Sequence, residues 1–391
     1  MERYLSTIKS RFSLLVVSHP CVQSINQSLY ARVEARTGWR VTILLPSSWK
    51  SDYGMRRATR WSGFRGRLIP MPVVFSGSVP FHAYRARLKR IVARERPQAI
   101  YVHHEPYGVA TFQAFLASRQ FADIPIGFYS AQNILKRYPW PISRFERYVY
   151  ARASFAFPVS ANVAAVLRRK GYRGGYAVLP LGIDTGLYRP DPAELSHNGA
   201  EHPLTVGYVG RITAEKGLDT LLSAMRLLPR ERLHALIIGD GPAAAALQRR
   251  ASMLGLEGRV SWLGYVPHDE TPAVYRRMDV LVVPSRTVSN WKEQFGRVVI
   301  EALACGVPVV TSDSGELPGL VSATGGGWTF PEGNAERLAA ILRTLVSRRA
   351  DLRMYGSRGR AVVREQFDID ALADRFITCV QAAAGHAGAR C

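Results

Sequence analysis

The feature that most limits how this chain can fold is a recurring alternation, in which short runs of β-branched and other apolar residues are separated by stretches with helical spacing. Such a pattern argues for parallel strands joined by crossover helices. Strands are expected near 13–17, 41–45, 99–103, 124–129 and 155–159, and in a second series near 204–209, 234–239, 259–263, 279–283 and 307–311. Between the series, from Tyr188-Arg189-Pro190-Asp191-Pro192 to His202-Pro203, the sequence is polar and proline-bearing, as an interdomain linker is. At 391 residues the chain is long for one core and sufficient for two. The expected organisation is an α/β N-terminal domain over 1–190, an α/β C-terminal domain over 191–365, and a helical segment over 366–391 able to cross back to the first domain. Open sheets of this kind bind ligands at the carboxyl ends of their strands, and two facing one another make a cleft.

The formal net charge of +22 is unevenly placed: residues 1–190 hold 29 Lys+Arg against 8 Asp+Glu, and residues 191–391 hold 23 against 22. A basic domain joined to a neutral one points to a single face that meets something anionic, not to general affinity for nucleic acid. Cys21, Cys305, Cys379 and Cys391 stand far apart with no C-x-x-C pair, which suggests neither a zinc site nor a disulfide framework. The apolar stretch Phe12 to Val17 is too short for a signal-peptide core, and no run approaches the length of a membrane span. A cytoplasmic protein without a transmembrane anchor is expected.

Two motifs in the second half carry chemistry. The segment Gly207-Tyr208-Val209-Gly210-Arg211-Ile212-Thr213-Ala214-Glu215-Lys216-Gly217 ends the expected first strand of the second domain. Gly210 permits a close turn, and Arg211 and Lys216 place a planar fork and a point charge where a diphosphate could bind. The plain alternative is a glycine-bounded turn with two solvated cations. The second motif, Glu293-Gln294-Phe295-Gly296-Arg297-Val298-Val299-Ile300-Glu301-Ala302-Leu303-Ala304-Cys305-Gly306-Val307-Pro308, reads as a loop entering a helix that stops at Gly306. Glu293 is expected at the helix mouth and Glu301 about two turns further in, both addressing one extended ligand. Free amides of Gln294, Phe295 and Gly296 add donors there. Taken alone, the two acids could be a helix-surface residue and a helix-start residue stabilised by the dipole. A carboxylate beside Val299, Ile300, Ala302 and Leu303 is nevertheless costly to bury unpaired, and a pair of ligand hydroxyls would satisfy it.

The G-R-x-x-x-x-K-G segment, the E-x7-E helix with its E-Q-F-G opening and E-A-L-A-C-G-V-P-V-V continuation, and Ile238-Gly239-Asp240-Gly241-Pro242 together resemble family 4 of the glycosyltransferases. That family has the GT-B fold, two doubly wound Rossmann-like domains facing across a cleft. Val159-Ser160 opening a helix and Pro180-Leu181-Gly182-Ile183-Asp184 before the linker are also similar, so the likeness is dense in the second half and sparse in the first. The resemblance implies transfer of a sugar from a nucleotide diphosphate donor, UDP or GDP, with retention of anomeric configuration by front-face substitution within an ion pair and no enzymic nucleophile. It implies no metal and no cofactor. By the same resemblance Gly210, Arg211, Lys216, Gln294, Phe295 and Gly296 hold the donor, Glu293 contacts hydroxyls of the transferred sugar, and Glu301 bonds the ribose. Tyr101-Val102-His103-His104-Glu105-Pro106 resembles the His-Glu-Pro element of the phosphatidylinositol mannosyltransferases, which puts His104 at the cleft beside the reacting sugar. The chain departs from the family at Ser18 to Gln27, a loop usually rich in glycine pairs and here without one. Ser130-Ala131-Gln132-Asn133 could offer polar contacts to an acceptor, although such residues more often bond their own backbone.

Cations and aromatics interleave over residues 50–67: Lys50, Tyr53, Arg56, Arg57, Arg60, Trp61, Phe64, Arg65 and Arg67. From His82 to Arg96 a helix is expected with Tyr84, Leu88, Ile91 and Val92 in one stripe and Arg85, Arg87, Lys89, Arg90, Arg94 and Arg96 mostly elsewhere. This face is expected to lie on the anionic cytoplasmic surface of a membrane, bringing the enzyme to a lipid-linked saccharide or polysaccharide-precursor acceptor. Three rivals stand beside this reading. A single-strand nucleic-acid binder would leave Glu293 and Glu301 unemployed, so no nucleic-acid partner is expected. A dinucleotide enzyme would use Gly239-x-Gly241-x-x-Ala244 with Glu257, and a GT-B sugar-nucleotide epimerase would share the donor site. Asp368-Ile369-Asp370 has D-x-D spacing but reads as a helix-start pair, and Arg211 and Lys216 stand where a metal would otherwise neutralise the leaving diphosphate.

Overall fold

Parallel strands covered on both faces need near-continuous apolar runs, and Ser13-Leu14-Leu15-Val16-Val17 or Val280-Leu281-Val282-Val283 supply them. In the computed structural model, which describes residues 11–51, 54–191 and 202–388, such runs build two compact units. Unit one is Met1–Leu179 with Leu372–Cys391, and unit two is Pro180–Ala371. Tyr53, Cys391 and the linker residues 192–201 lie outside the described residues.

Unit one contains β1 (Ser13–Val17), β2 (Arg40–Pro46), a hairpin of β3 (Ser48–Ser51) and β4 (Gly54–Arg57), β5 (Arg67–Met71), and a short antiparallel pair of β6 (Val73–Val74) and β7 (Ala83–Tyr84). It continues with β8 (Ala99–Val102), β9 (Ile126–Ser130), β10 (Phe155–Pro158) and β11 (Gly175–Tyr176). Seven strands form a parallel sheet in the order β11-β10-β9-β8-β1-β2-β5, so the winding reverses between β1 and β8. Successive residues of β1 point to opposite faces. Leu15 and Val17 join a core with Phe115, Phe128 and Val149, while Leu14 and Val16 join one with Tyr30, Phe157 and Phe376. Each fully buried Val or Leu contributes about 1.5–3 kcal/mol.

Unit two contains β12 (Leu204–Val209), β13 (Leu233–Ile238), β14 (Val260–Gly264), β15 (Val280–Val283), β16 (Val309–Ser312) and β17 (Gly327–Phe330), ordered β14-β13-β12-β15-β16-β17 and parallel throughout. This is the doubly wound dinucleotide-fold order, with its reversal between β12 and β15. Leu218, Leu221, Leu222 and Met225 pack one helix onto Val206, Tyr208 and Ile237. Among the described residues no helix is long and apolar enough to cross a membrane.

Local expectations change in two respects, where a helix starts and which strands are present. The helix expected from His82 begins only at Leu88, because Ala83 and Tyr84 pair with Val74 and Val73. The stripe of Tyr84, Leu88, Ile91 and Val92 is buried all the same. Strands β5, β11 and β17 are additions at sheet edges.

Candidate active site

In unit two the switch point lies where the chain leaves β12 and β15. After β12, Gly210 adopts φ 151° and its amide donates to Ile238 O at 3.0 Å. Gly239, at φ 129°, is so close that a Cβ there would stand 1.8 Å from Gly210 O. Two strand ends thus meet backbone to backbone. Arg211 follows on the surface, and a one-turn helix, Ala214–Lys216, turns the chain so that Lys216 points toward the loop after β15.

That loop presents Ser285 and Glu293. Glu293 is buried, its Oε2 accepting from Lys216 Nζ at 2.7 Å and from Ser285 Oγ at 2.8 Å. The amide of Arg286 donates to Glu215 O at 2.7 Å, a second tie between the two loops. Trp291, on a tight hairpin closed by Val288, places its ring centroid 4.8 Å from Lys216 Nζ. The ammonium is therefore held by a carboxylate on one side and an aromatic face on another.

Glu293 lies outside the helix, which runs Arg297–Ala304 and starts from Gly296. Glu301 is the fifth residue of that helix, one turn in, and its burial does not leave it unpaired. Tyr275 donates to Oε2 at 2.8 Å, and Arg297 lies 3.0 Å from Oε1. Burial raises its pKa while the Arg297 charge and the Tyr275 hydroxyl pull it down. The sequence offered a pair of ligand hydroxyls as partners for this carboxylate, and the fold adds Tyr275 and Arg297. Phe295 is buried near Phe367, Gln294 is exposed, and no acceptor among the described residues takes the amides of Gln294, Phe295 and Gly296.

In unit one the switch point between β1 and β8 brings together His19 and His104, and His103 N donates to Val17 O at 2.9 Å. The glycine-free loop Ser18 to Gln27 folds as two short turns held by side chains: Asn26 Nδ2 donates to Pro20 O, and Gln27 Nε2 to Cys21 O and Thr59 O. His104 is buried, with Nε2 at 2.9 Å from Val79 O and Nδ1 at 2.9 Å from Thr111 Oγ1. His82 Nδ1 lies 3.1 Å from the same Val79 carbonyl, so two ring N–H groups converge on one acceptor. With His19 these rings form a cluster with centroids 4.8 to 5.1 Å apart. Burial lowers all three pKa values, His104 to about 3, which favours the neutral imidazole in each. His103 is separate, bonded to Tyr30.

Glu105 accepts from Ser130 Oγ and the Ala131 amide, both at 2.7 Å, which fastens β8 to β9. At the end of β9 Ser130 and Gln132 thus bond within the protein, Gln132 Oε1 taking the Ile134 amide, whereas the buried Asn133 Oδ1 takes no hydrogen bond from the described residues. Asp368 opens the helix Ile369–Gly388, taking the Asp370 amide and the Thr185 hydroxyl. The sequence reading singled out none of His19, His82, Ser285 and Trp291. Only His19 carried a signal, by following the first strand of its sheet.

Two Rossmann-type parallel sheets in one chain are the architecture of the GT-B glycosyltransferases. The sequence comparisons agree. A family model described as glycosyl transferases group 1 matches residues 194–362, and one described as a glycosyl transferase 4-like domain matches 25–182. The chain belongs to glycosyltransferase family 4, with the GT-B fold, and is a hexosyltransferase-type enzyme. A Mycobacterium tuberculosis relative, a GDP-mannose-dependent alpha-(1-6)-phosphatidylinositol monomannoside mannosyltransferase, is 28% identical over 374 residues, covering 91% of this chain and 93% of its own. The D-inositol 3-phosphate glycosyltransferase of Segniliparus rotundus is 33% identical over 217 residues, 53% of this chain and 46% of its own. Among solved structures, Anabaena HepE in complex with UDP superposes with a TM-score of 0.73 at 20% identity, over 95% of this chain and all of the other. Sucrose-phosphate synthase from Thermosynechococcus elongatus gives 0.70 at 21% identity, over 95% and 99% of the two chains.

Proposed function

We propose that this enzyme transfers a hexose, with retention and without a metal, from a nucleoside diphosphate sugar to a lipid-linked or polysaccharide-precursor acceptor at a membrane surface. The observation that carries the reading is the Lys216 ammonium, held 2.7 Å from Glu293 where the loops after β12 and β15 meet. A cation there serves the leaving diphosphate, and its carboxylate partner serves the sugar hydroxyls. Arg211 supplies the second cation, the amides of Gln294, Phe295 and Gly296 add donors, and Glu301, oriented by Tyr275 and Arg297, takes the ribose hydroxyls. The anomeric carbon's bond to the diphosphate breaks, its bond to the acceptor oxygen forms on the same face, and the acceptor proton goes to the departing phosphate. His104 is assigned to the reacting sugar, exchanging its Val79 contact for a hydroxyl.

GDP-mannose is the first donor to test, because the M. tuberculosis relative is named for it; UDP-sugars complete the panel. The acceptor class follows the same relative and the putative colanic acid biosynthesis glycosyltransferase WcaL of Escherichia coli, which is 29% identical over 239 residues. Membrane placement rests on the charge asymmetry between the halves. Protection against thermal unfolding should identify the donor. Arg211→Ala and Lys216→Ala should each lower acceptor-dependent release of nucleoside diphosphate by an order of magnitude or more, since one charged hydrogen bond is worth about 1.5–3 kcal/mol. Wild-type kinetics in both would refute the assignment. EDTA should leave turnover intact, and an inverted anomeric coupling in the product's NMR spectrum would refute retention.

A further inference from the structure

Among the large apolar side chains that unit one leaves in water, five come from two neighbouring segments, residues 55 and 74–81. Phe75 is 70% exposed, Met55 63% and Phe81 52%, with Val74 and Val79 at 38% each. Met55 pairs with Lys50 across the β3–β4 hairpin, and the Lys50 amide donates to Ser76 Oγ at 3.0 Å. Val74 pairs with Ala83 across β6 and β7, so the turn from Phe75 to Phe81 stands beside Lys50 of β3. A monomeric protein rarely leaves such a group exposed without a use for it.

The turn is fixed in place. Ser78 N donates to Phe75 O and His82 N to Ser78 O, both at 3.0 Å, and Val109 N anchors Pro80 O at 3.0 Å. His82 and His104 both hold the Val79 carbonyl. Phe75 itself has φ 52°, a left-handed conformation that a bulky side chain adopts only under constraint. That constraint aims its ring outward.

What surrounds the rings identifies the partner. Between residues 50 and 94 there are 11 Lys+Arg and a single acid, Asp52. Lys50, Arg57, Arg85, Arg87, Lys89 and Arg90 are exposed. Exposed aromatic and aliphatic side chains flanked along the chain by exposed cations match a bilayer interface, where rings enter the acyl boundary and cations meet anionic headgroups. We propose that the tip formed by Met55, Phe75 and Phe81 inserts into the interfacial layer of an anionic membrane and is the apolar anchor of unit one. The inference rests on the membrane placement under Proposed function and adds the residues that enter the lipid.

The test is co-sedimentation of the full chain with sucrose-loaded vesicles of phosphatidylcholine, with or without phosphatidylglycerol, at low and high salt. Wild type should bind the anionic vesicles, and part of that binding should survive high salt, because apolar insertion is not screened. Phe75→Ser/Phe81→Ser should lose the salt-resistant part, lowering the partition coefficient about tenfold or more, with thermal unfolding and sugar-nucleotide protection unchanged. Arg85→Gln/Arg87→Gln should weaken low-salt binding instead. If the serine variant partitions like wild type at both salts, the anchor is wrong and the membrane placement stands. If wild type ignores anionic vesicles, or binds neutral ones equally well, the membrane placement falls and takes the anchor with it. Self-association of wild type that the serine variant lacks, with unchanged lipid binding, would give the patch to a second copy and overturn the proposal.

Discussion

A carboxylate shut away from water must trade its charge against its partners, and Glu105 makes that trade at the end of β8. Burial pushes its pKa up to about 7, against the pull of the Ala131 amide and the Ser130 hydroxyl. The group is raised above the 4.5 of an unperturbed glutamate, so its contribution to stability is complete below that value and is lost as pH rises through about 7. The histidines run the other way. His103, lowered to about 4, and His104, lowered to about 3, stabilise the fold above about pH 6.5 and lose that contribution as pH falls through those values. Glu105→Gln keeps an acceptor for Ala131 and removes the charge. Between about pH 5 and about pH 8 the urea midpoint of wild type should fall by the equivalent of roughly 3 kcal/mol more than that of the variant. Parallel pH profiles would show that Glu105 ionises in the fold at no cost.

At the scale of elements, the proposed donor site depends on two loops approaching more closely than a side chain allows. Gly217 has φ 66°, and a Cβ there would stand 1.9 Å from Pro284 O. Gly217→Ala must therefore separate the loops after β12 and β15 and pull Lys216 from Glu293. Sugar-nucleotide binding by calorimetry should weaken at least about tenfold, and stability should drop by more than about 1 kcal/mol. Unchanged affinity would mean that the Lys216–Glu293 contact does not shape the site. This glycine stood within a motif legible in the sequence, as did β12, β13, β15 and β16, because fully buried parallel strands need continuous apolar runs. Strand β5 was not legible: Arg67-Leu68-Ile69-Pro70-Met71 carries a proline, which only an edge strand tolerates. Nor was the start of the helix at Leu88, since helical spacing from Tyr84 to Val92 serves equally well when Tyr84 lies on a strand. His19, His82 and His104 meet through three separate segments, and no local pattern announces such a meeting.

At the scale of the whole molecule, the excess charge and the path of the chain fall on the same unit. Unit one holds 30 Lys+Arg against 8 Asp+Glu, and unit two 22 against 22. A unit carrying the whole net charge repels itself and needs a closed core to stay compact. Part of that core arrives last in sequence: Leu372, Ala373, Phe376, Ile377 and Val380, from the helix Ile369–Gly388, pack on the β1 face beside Tyr30 and Phe157. The helix also pairs Asp374 with Arg36 at 2.6 Å, but both side chains are exposed and such a pair is worth less than about 1 kcal/mol. Its attachment is therefore apolar, with Phe376 at the centre, its ring 5.2 Å from those of both Tyr101 and Phe157. Phe376→Ala should cost unit one about 3–5 kcal/mol, the range for emptying an aromatic site in a packed core. Hydrogen exchange is the measurement that assigns the loss. Amides of β1, β8 and β10 should lose protection in the variant, while those of β12, β13 and β16 keep theirs. Equal loss in both sheets would mean that the helix supports the second core as much as the first, contrary to where its apolar residues lie.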